Sequence, residues 1–278
     1  MSAMSLSQIV ELADRLYPFE EAEAWDNCGI QIGDPDKIIS RVAFALDPTP
    51  QTIRFAAHHS CELLITHHPV FIEPIRRITP DNLVGKTLLT AGETGVSILS
   101  LHTNLDAAPG GLNDHIAQLI GLTQVRTPEP ARCARMGFLP FSMPFSLFLD
   151  VLCRKLQLQD VRLVGHPKPE VRSVFCAAGS GMGYLKEALH YRCDVIITGD
   201  VRYHAAREAQ AMGIPVIDAG HFGLEKGAVS LLYRVFCSEF ERMGENVLCI
   251  YCDNEQEPFA TYLYEQGGLT IETTNTTP

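Results

Sequence analysis

The sequence has no long apolar run and few basic residues. None of its 278 residues belongs to an uncharged apolar stretch of about 18, the length that a membrane-spanning helix needs, so no membrane association is expected. Lys and Arg number 22 against 33 Asp and Glu, which gives a net charge of −11. Because binding to a nucleic-acid backbone depends on Lys and Arg, a nucleic-acid partner is not expected either. The acidic balance is compatible with a site for cations.

The chain also lacks the marks of an exported, disulfide-stapled protein. No charged segment followed by an apolar segment opens the sequence, as a signal peptide would. The nine cysteines are scattered, and the single CxxC motif, Cys249 to Cys252, lies in an alternating, strand-like stretch. We therefore expect a cytoplasmic protein with reduced thiols, long enough to bury its core without disulfides.

Apolar runs and helical patterns alternate along the chain. This alternation predicts an α/β fold with mixed, mostly parallel sheets covered by helices. The expected strands cover residues 41–47, 62–68, 96–101, 171–177, 193–199, 214–219 and 246–252.

The two halves of the chain resemble each other. LLITHH at 63–68 matches VIITGD at 195–200, and the spacing HxxxD at 102–106 matches HxxxE at 221–225. Such similarity at large spacing predicts a duplicated α/β unit. We expect a first repeat over residues 1–126 and a second over 127–278, with the last helix and strand able to pack back on the first repeat. The proline-containing segment that opens the second repeat is the expected junction.

Histidines and carboxylates gather at the ends of three predicted strands, where polar sites of parallel sheets form. Imidazole and carboxylate ligands suit Zn, Mn, Fe, Co or Ni ions. Five ligands drawn from this set are already more than one catalytic ion needs, so two divalent ions per chain are expected, with Glu225 as the candidate bridge. The side chains concerned are His67 and His68, His102 with Asp106, and His221 with Glu225.

Two features bear on the conformation of the two His-x-x-x-carboxylate segments, residues 102–106 and 221–225. Imidazole and carboxylate share one face only if the intervening turn is helical. The Pro-Gly-Gly stretch at 109–111 favours a loop over residues 102–106. Gly220 and Gly223 place the start of the second helix near Leu224.

Other candidates have packing explanations that remain open. The pair at 67–68 alone could be strand-end histidines bonded to backbone carbonyls. His204 begins the helix after the second-half strand and could support the site or contact a substrate. The Gly-Ser-Gly-Met-Gly turn at 179–183 could contact phosphate or simply turn tightly from strand to helix. Trp25, the only tryptophan, could line a cleft or serve a core or capping role.

Six stretches occur in one characteristic order between residues ~5 and 260: AEAWDNCGIQIG, ITHHPVF, LHTNLDAAPGGLND, AAGSGMG, VIITGDVRYH and AGHFGLEKG. In combination they resemble the NIF-three-like family, whose bacterial members are named GTP cyclohydrolase I type 2 homologues. The resemblance implies a duplicated α/β fold, a dinuclear metal site and a ring-shaped homohexamer.

The resemblance also implies roles for residues. The implied metal ligands are His67, His68, Asp106, His221 and Glu225. His102 would lie close by and support the site or handle protons, and His102 and His204 are the candidate catalytic residues. The implied activity is a dinuclear metal-dependent hydrolase of a small, nucleotide-like substrate, with GTP ring opening as one version. The alternative is a non-catalytic metal-binding or metal-delivery protein with protein partners.

Overall fold

The computed structural model describes residues 4–261 and the strands at 263–265 and 268–270. Its strands are β1 (Met4–Ser5), β2 (Gly29–Ile32), β3 (Ile38–Ile39), β4 (Arg41–Ala45), β5 (Leu63–Thr66), β6 (Ser97–Ser100), β7 (Thr123–Arg126), β8 (Arg135–Pro144), β9 (Arg162–Val164), β10 (Glu170–Cys176), β11 (Val195–Thr198), β12 (Val216–Asp218), β13 (Leu248–Tyr251), β14 (Leu263–Glu265) and β15 (Gly268–Thr270). Its α-helices are α1 (Leu6–Leu16), α2 (Pro50–His58), α3 (Leu83–Thr94), α4 (Thr103–Ala107), α5 (Leu112–Leu119), α6 (Phe145–Leu156), α7 (Leu185–His190), α8 (Tyr203–Met212), α9 (His221–Glu225) and α10 (Gly227–Met243).

The ends of the helices follow from local sequence. The Ser5 side chain accepts a hydrogen bond from the Gln8 N–H, and the Gln8 side chain accepts one from the Ser5 N–H, which closes a capping box at the start of α1. Pro50 opens α2, where its missing N–H costs nothing. Gly213 ends α8 with a φ of 73°, a left-handed conformation that glycine adopts without strain.

The first sheet has the order β13-β4-β5-β6-β2, and β13, β4, β5 and β6 run parallel. Only β2, at one edge, is antiparallel to its neighbour. The late strand β13 pairs with β4 from Leu248 opposite Arg41 to Tyr251 opposite Phe44. Helix α10 packs on the same sheet through Phe236, whose ring centroid lies 5.7 Å from that of Phe44. The division of the chain at residue 126 stays a prediction.

The second sheet has the order β7-β8-β10-β11-β12-β9, with parallel strands β10, β11 and β12 at its centre and antiparallel strands beside them. The sequence patterns did not predict β7, β8, α6 or β9. The β8–β10 pairing shifts register between Val171 and Ser173, and Pro140 and Pro144 lie in β8, so β8 lacks an uninterrupted strand pattern.

The two sheets repeat one arrangement. Each contains three parallel strands in chain order, β4-β5-β6 and β10-β11-β12, joined by helices α2 and α3 or α7 and α8. The short helices α4 and α9 follow the third strand of each set. The predicted mixed α/β fold with helix-covered sheets is confirmed. One apolar core joins the sheets, because it contains Val42 and Ile65 of the first as well as Val174 and Ile197 of the second.

The structure also bears on the state of the cysteines and on membrane-spanning helices. All nine cysteines are free thiols. Within residues 4–261, no helix combines the length and apolarity needed to cross a bilayer.

Candidate metal centre

The first two imidazoles lie just beyond the end of β5. The His67 N–H donates to the Ala45 carbonyl at 3.3 Å and the His68 N–H to the Leu46 carbonyl at 3.0 Å, so backbone pairing continues past the strand. The Ser100 hydroxyl donates to the His67 carbonyl at 2.9 Å. The two rings nevertheless reach one site, since their centroids are 5.0 Å apart.

Both His-x-x-x-carboxylate elements are helical. The prediction of a loop over residues 102–106 is wrong, because the Pro-Gly-Gly stretch begins only after α4 has ended at Ala107. The prediction that a helix starts near Leu224 is also wrong: α9 begins at His221, and Gly220 precedes it with a φ of 74°. Each helical turn therefore brings its carboxylate to the side of the preceding imidazole.

Each of the four imidazole rings is held in place by a hydrogen bond at its Nδ1 atom. In three of them Nδ1 lies 2.8 Å from a carboxylate oxygen, and in the fourth it lies 2.9 Å from a backbone carbonyl oxygen. Since these oxygens only accept, Nδ1–H is the donor, and Nε2 remains for a cation, as in metal-binding histidines. The pairs are His68 with Asp47, His102 with Asp26, His221 with Asp200, and His67 with the Leu101 carbonyl.

Two buried polar atoms at the centre have no hydrogen-bond partner among the described residues: His67 Nε2 and Asp106 Oδ1. They lie 3.9 Å apart, and Glu225 Oε1 is also 3.9 Å from His67 Nε2. These separations are too long for hydrogen bonds, and an unpaired buried polar group costs about 1–3 kcal/mol. They suit ligands of one ion, each bound at about 2.0–2.2 Å. The residues present therefore fit a metal ion.

Glu225 faces both parts of the centre. Its Oε1 atom points towards His67, while its Oε2 atom lies 2.8 Å from His68 Nε2 and 2.8 Å from His221 Nε2. Those two ring nitrogens are 3.3 Å apart. A carboxylate whose two oxygens face different imidazoles has the geometry that a bridging ligand requires.

His102 is close enough to act as a further ligand. His67, His68 and His102 each offer a ring nitrogen within 4.8 Å of the other two, and so do His68 and His221 with a Glu225 oxygen. The sequence-based catalytic role for His102 stays a prediction, and the geometry allows a ligand role as well.

The protonation of the centre reflects its buried charges. Burial raises the pKa of Asp106. Burial also acts to raise the pKa of Glu225, but hydrogen bonds from the neighbouring imidazoles hold it well below its usual value. Burial acts to lower the pKa of His68, yet contacts with Asp47 and Glu225 raise it to about 10. The hydrogen bond to Glu225 raises the pKa of His221 to about 9. A cation that binds must therefore displace protons.

The glycine-rich turn at 179–183 approaches the centre. Gly179 has a φ of 60°, and a Cβ atom built on it would lie 2.7 Å from Glu225 Oε1. A side chain at this position would therefore press against the Glu225 carboxylate. This close approach accounts for Gly179 without a bound phosphate.

Two other residues singled out in the sequence are exposed. Trp25 is 55% exposed and meets the His102 ring edge-on at 6.0 Å, so it is not a core residue. Its neighbour Asp26 accepts a hydrogen bond from the Thr103 N–H at the start of α4. The structure does not bring His204 to the cluster: its ring is exposed on α8 and contacts Tyr203. A catalytic role for His204 stays a prediction.

Sequence reasoning missed the orienting carboxylates. Asp47 follows β4, and Asp200 follows β11 with a φ of 53°. The only available signal was that each lies two residues beyond the end of a buried parallel strand. Asp26, next to Trp25, had no such signal.

A cleft of about 850 Å³ opens beside the centre. His68 and His221 lie in its wall, and most of the remaining wall comes from residues 157–162, 218–223 and 255–261. Its volume is within the range of small-molecule sites, roughly 300–1,000 Å³.

Comparison with known proteins gives consistent results. A family model described as Duf34/NIF3 (NGG1p interacting factor 3) matches residues 4–258. The GTP cyclohydrolase 1 type 2 homolog of Clostridium acetobutylicum is 28% identical over 264 residues, which cover 92% of this chain and 98% of the relative. The GTP cyclohydrolase 1 type 2 of Helicobacter pylori is 29% identical, with 84% and 92% covered. A Bacillus cereus protein related to NIF3 shares the fold, with a TM-score of 0.88, 20% identity, and 94% and 100% covered.

Proposed function

The chain belongs to the Duf34/NIF3 family, and on that premise we propose that it is a metal-dependent hydrolase with a two-ion centre. The observation that carries the proposal is the pair of buried, unpartnered atoms, His67 Nε2 and Asp106 Oδ1, that face each other at 3.9 Å. One carries a lone pair and the other is an acceptor oxygen, so a bound cation would satisfy both atoms without moving them.

Two groups of ligands support two ions. One ion would be held by His67, His102 and Asp106, and the other by His68 and His221. Glu225 would bridge them, because each of its oxygens faces one group. Zn, Mn, Fe, Co and Ni all accept such nitrogen and oxygen ligands.

Divalent ions in such a pair activate water for hydrolysis at neutral pH. The chain's own contribution is orientation: three aspartates and a carbonyl hold the imidazoles in position. His68 and His221 present this centre to the cleft, which is where a substrate would bind. The names of the relatives and the size of the cleft support a small, nucleotide-like substrate, with GTP as the first to test.

The metal assignment is tested by anomalous scattering at metal edges on crystals of the reconstituted protein. We expect two sites per chain, with Glu225 near both. Well under one ion per chain by elemental analysis, after reconstitution at neutral pH, would contradict the two-ion centre.

The hydrolase assignment is tested by turnover. The metal-loaded protein should release formate from GTP, and His221→Ala should abolish the release. His166→Ala is the matched control, because His166 is exposed and lies outside the centre. If the protein holds its ions but turns over neither GTP nor a panel of nucleotides and phosphodiesters above a metal-free control, it is a non-catalytic metal-binding or metal-delivery protein.

We also propose a cytoplasmic homohexamer, as the family resemblance implies. Light scattering coupled to size-exclusion chromatography should give six times the 30.7 kDa chain mass. A monomer or dimer across micromolar concentrations would contradict the hexamer.

A further inference from the structure

A second cavity, of about 610 Å³, lies next to the metal cleft. The two share part of their walls, because six residues line both: Leu46, Gln157, Phe222, Gly223, Lys226 and Glu255. The rest of the cavity is formed by α5, the end of α6, the first half of α10 and residues 251–255. Neither His68 nor His221 lines it, so the cavity is distinct from the cleft over the metal centre.

The cavity carries unpaired cationic side chains. Lys155, Lys226 and Arg234 line it, and within the described part of the chain none of the three has a carboxylate oxygen within 4 Å. Their recorded hydrogen bonds go to backbone carbonyls: Lys226 Nζ donates to Gln157 at 2.8 Å and Arg234 Nε to Ser230 at 3.2 Å. In a chain with a net charge of −11, three such cations around one cavity favour an anionic ligand.

The carboxylates of the cavity compensate these cations only weakly. Two line it, Asp253 and Glu255. Glu255 is engaged elsewhere, because its oxygens accept the N–H groups of Leu46 at 2.6 Å and Asp47 at 2.8 Å. Asp253 is exposed.

In the cleft beside the proposed metal centre, carboxylates outnumber cationic side chains. Six carboxylates line it against two cations, Arg162 and Lys226, and Arg162 forms an ion pair with Asp218. In the metal-free protein, an anionic group therefore meets less repulsion in the second cavity than in the cleft. The carboxylates of the cleft are Asp47, Asp160, Asp200, Asp218, Glu255 and Glu257.

The cavity also offers apolar and neutral polar surface. Ile116 and Leu156 are buried in its wall, and Tyr251 lines it. Burial, together with the charge of Arg234, lowers the pKa of His115, which favours the neutral ring with one donor and one acceptor nitrogen. A ligand with both an anionic group and an apolar part would match these walls.

We propose that this second cavity is a binding site for a phosphate group, held by Lys155, Lys226 and Arg234. Lysine and arginine are the side chains that bind phosphate oxygens, arginine through parallel hydrogen bonds. The site requires no metal and is separate from the proposed hydrolase activity. Because Lys226 directly follows Glu225, a phosphate bound there would lie beside the helix that carries two proposed metal ligands.

The test is titration calorimetry of inorganic phosphate into the full-length, metal-depleted protein. We expect the double variant Lys155→Gln/Arg234→Gln to bind phosphate at least about tenfold more weakly than the wild type, because two charge-assisted contacts are removed. The control is Arg54→Gln/Lys86→Gln, which makes the same change in net charge at exposed positions on α2 and α3. It should stay within about twofold of the wild type, since only long-range attraction changes.

Two further measurements show where phosphate binds and whether it is part of a larger ligand. His221→Ala should leave phosphate binding unchanged, which shows that phosphate does not occupy the metal centre. Guanosine monophosphate binding more tightly than both guanosine and phosphate would show that the phosphate belongs to a larger ligand; equal affinity of the monophosphate and phosphate would identify a free anion. Absent phosphate binding in the wild type, or equal losses in the two double variants, would overturn the proposal.

Discussion

The two sides of the proposed metal centre differ in burial and in hydrogen bonding. On one side, His67 is fully buried, and its Nε2 atom and Asp106 Oδ1 have no hydrogen-bond partner among the residues that the structure describes. On the other side, the His221 side chain is 36% exposed, and its Nε2 atom contacts Glu225 Oε2 at 2.8 Å. On the first side a cation would satisfy the polar atoms, whereas on the second side Glu225 already pairs with the imidazole nitrogen.

This difference suggests that the two proposed ions would have different roles. An ion on the buried side would be largely enclosed by protein and should exchange slowly, since the side chains of its proposed ligands are at most 14% exposed. An ion on the open side faces the cleft, where water and substrate can approach. Buried ligands would therefore dominate affinity, and open ligands would dominate reactivity.

Replacing the shared carboxylate should have the largest effect. Glu225→Gln removes the charge that both ions would share, so the metal content of the reconstituted protein should fall from two ions per chain towards none by elemental analysis. Glu93→Gln, at an exposed position on α3, is the control and should keep both ions. Retention of one tightly bound ion in Glu225→Gln would show that Glu225 does not bridge.

The sequence indicated these ligands because their spacing and their positions after strands were visible. His67 and His68 end a buried strand, and the HxxxD and HxxxE spacings repeat in matching places. The orienting residues Asp47 and Asp200 were not predictable, because each lies 21 residues from the histidine it contacts and single strand-end aspartates are common. Only the folded structure brings such pairs together.

The errors in the predicted secondary structure have a similar origin. Proline and glycine at 109–111 indicate where a helix cannot continue, but they do not say whether a five-residue helix precedes them. In the second half, β8 contains two prolines and a register shift, so its pattern is irregular even though the sheet holds it in place. Tertiary contacts decided both cases.

Removing one ligand from each side should separate the two ions. Asp106→Asn should lose the buried ion and His221→Ala the open one, each leaving about one ion per chain. In chelator competition the wild type should release its two ions in separate phases, and His221→Ala should lack the fast phase. Loss of the slow phase in His221→Ala instead would reverse the assignment of the two sides.

Replacing the orienting aspartates should have a smaller effect, graded by burial. Substituting such residues typically weakens metal binding by about 10–100-fold. Asp26→Asn should lie near the upper end, because the Asp26 side chain is fully buried against His102, and Asp200→Asn near the lower end, because Asp200 is 51% exposed. Chelator competition measures both. Equal losses would show that burial does not set the strength of orientation.

In the metal-free protein, the effect of Asp26→Asn on the free energy of unfolding should also depend on pH. Burial acts to raise the pKa of Asp26, but the contacts with His102 and Thr103 hold it below its usual value. A depressed pKa in the folded state stabilises the protein above the unfolded pKa of about 3.9, and this contribution is lost as the pH falls below it. The difference in free energy of unfolding between wild type and Asp26→Asn should therefore be largest at neutral pH and shrink below about pH 4 in denaturant titrations.

The smallest effect is expected at Gly179, where the glycine-rich turn after β10 approaches the Glu225 carboxylate. Gly179→Ala places a methyl group 2.7 Å from Glu225 Oε1 at a φ of 60°, a strain of about 1–3 kcal/mol. The carboxylate can rotate away, so metal affinity should fall by less than about tenfold, or about 1.4 kcal/mol. Gly183→Ala is the matched control, because its methyl group would meet no atom within 4 Å. If the two variants bound metal equally well, the Gly179 turn would not help to position Glu225.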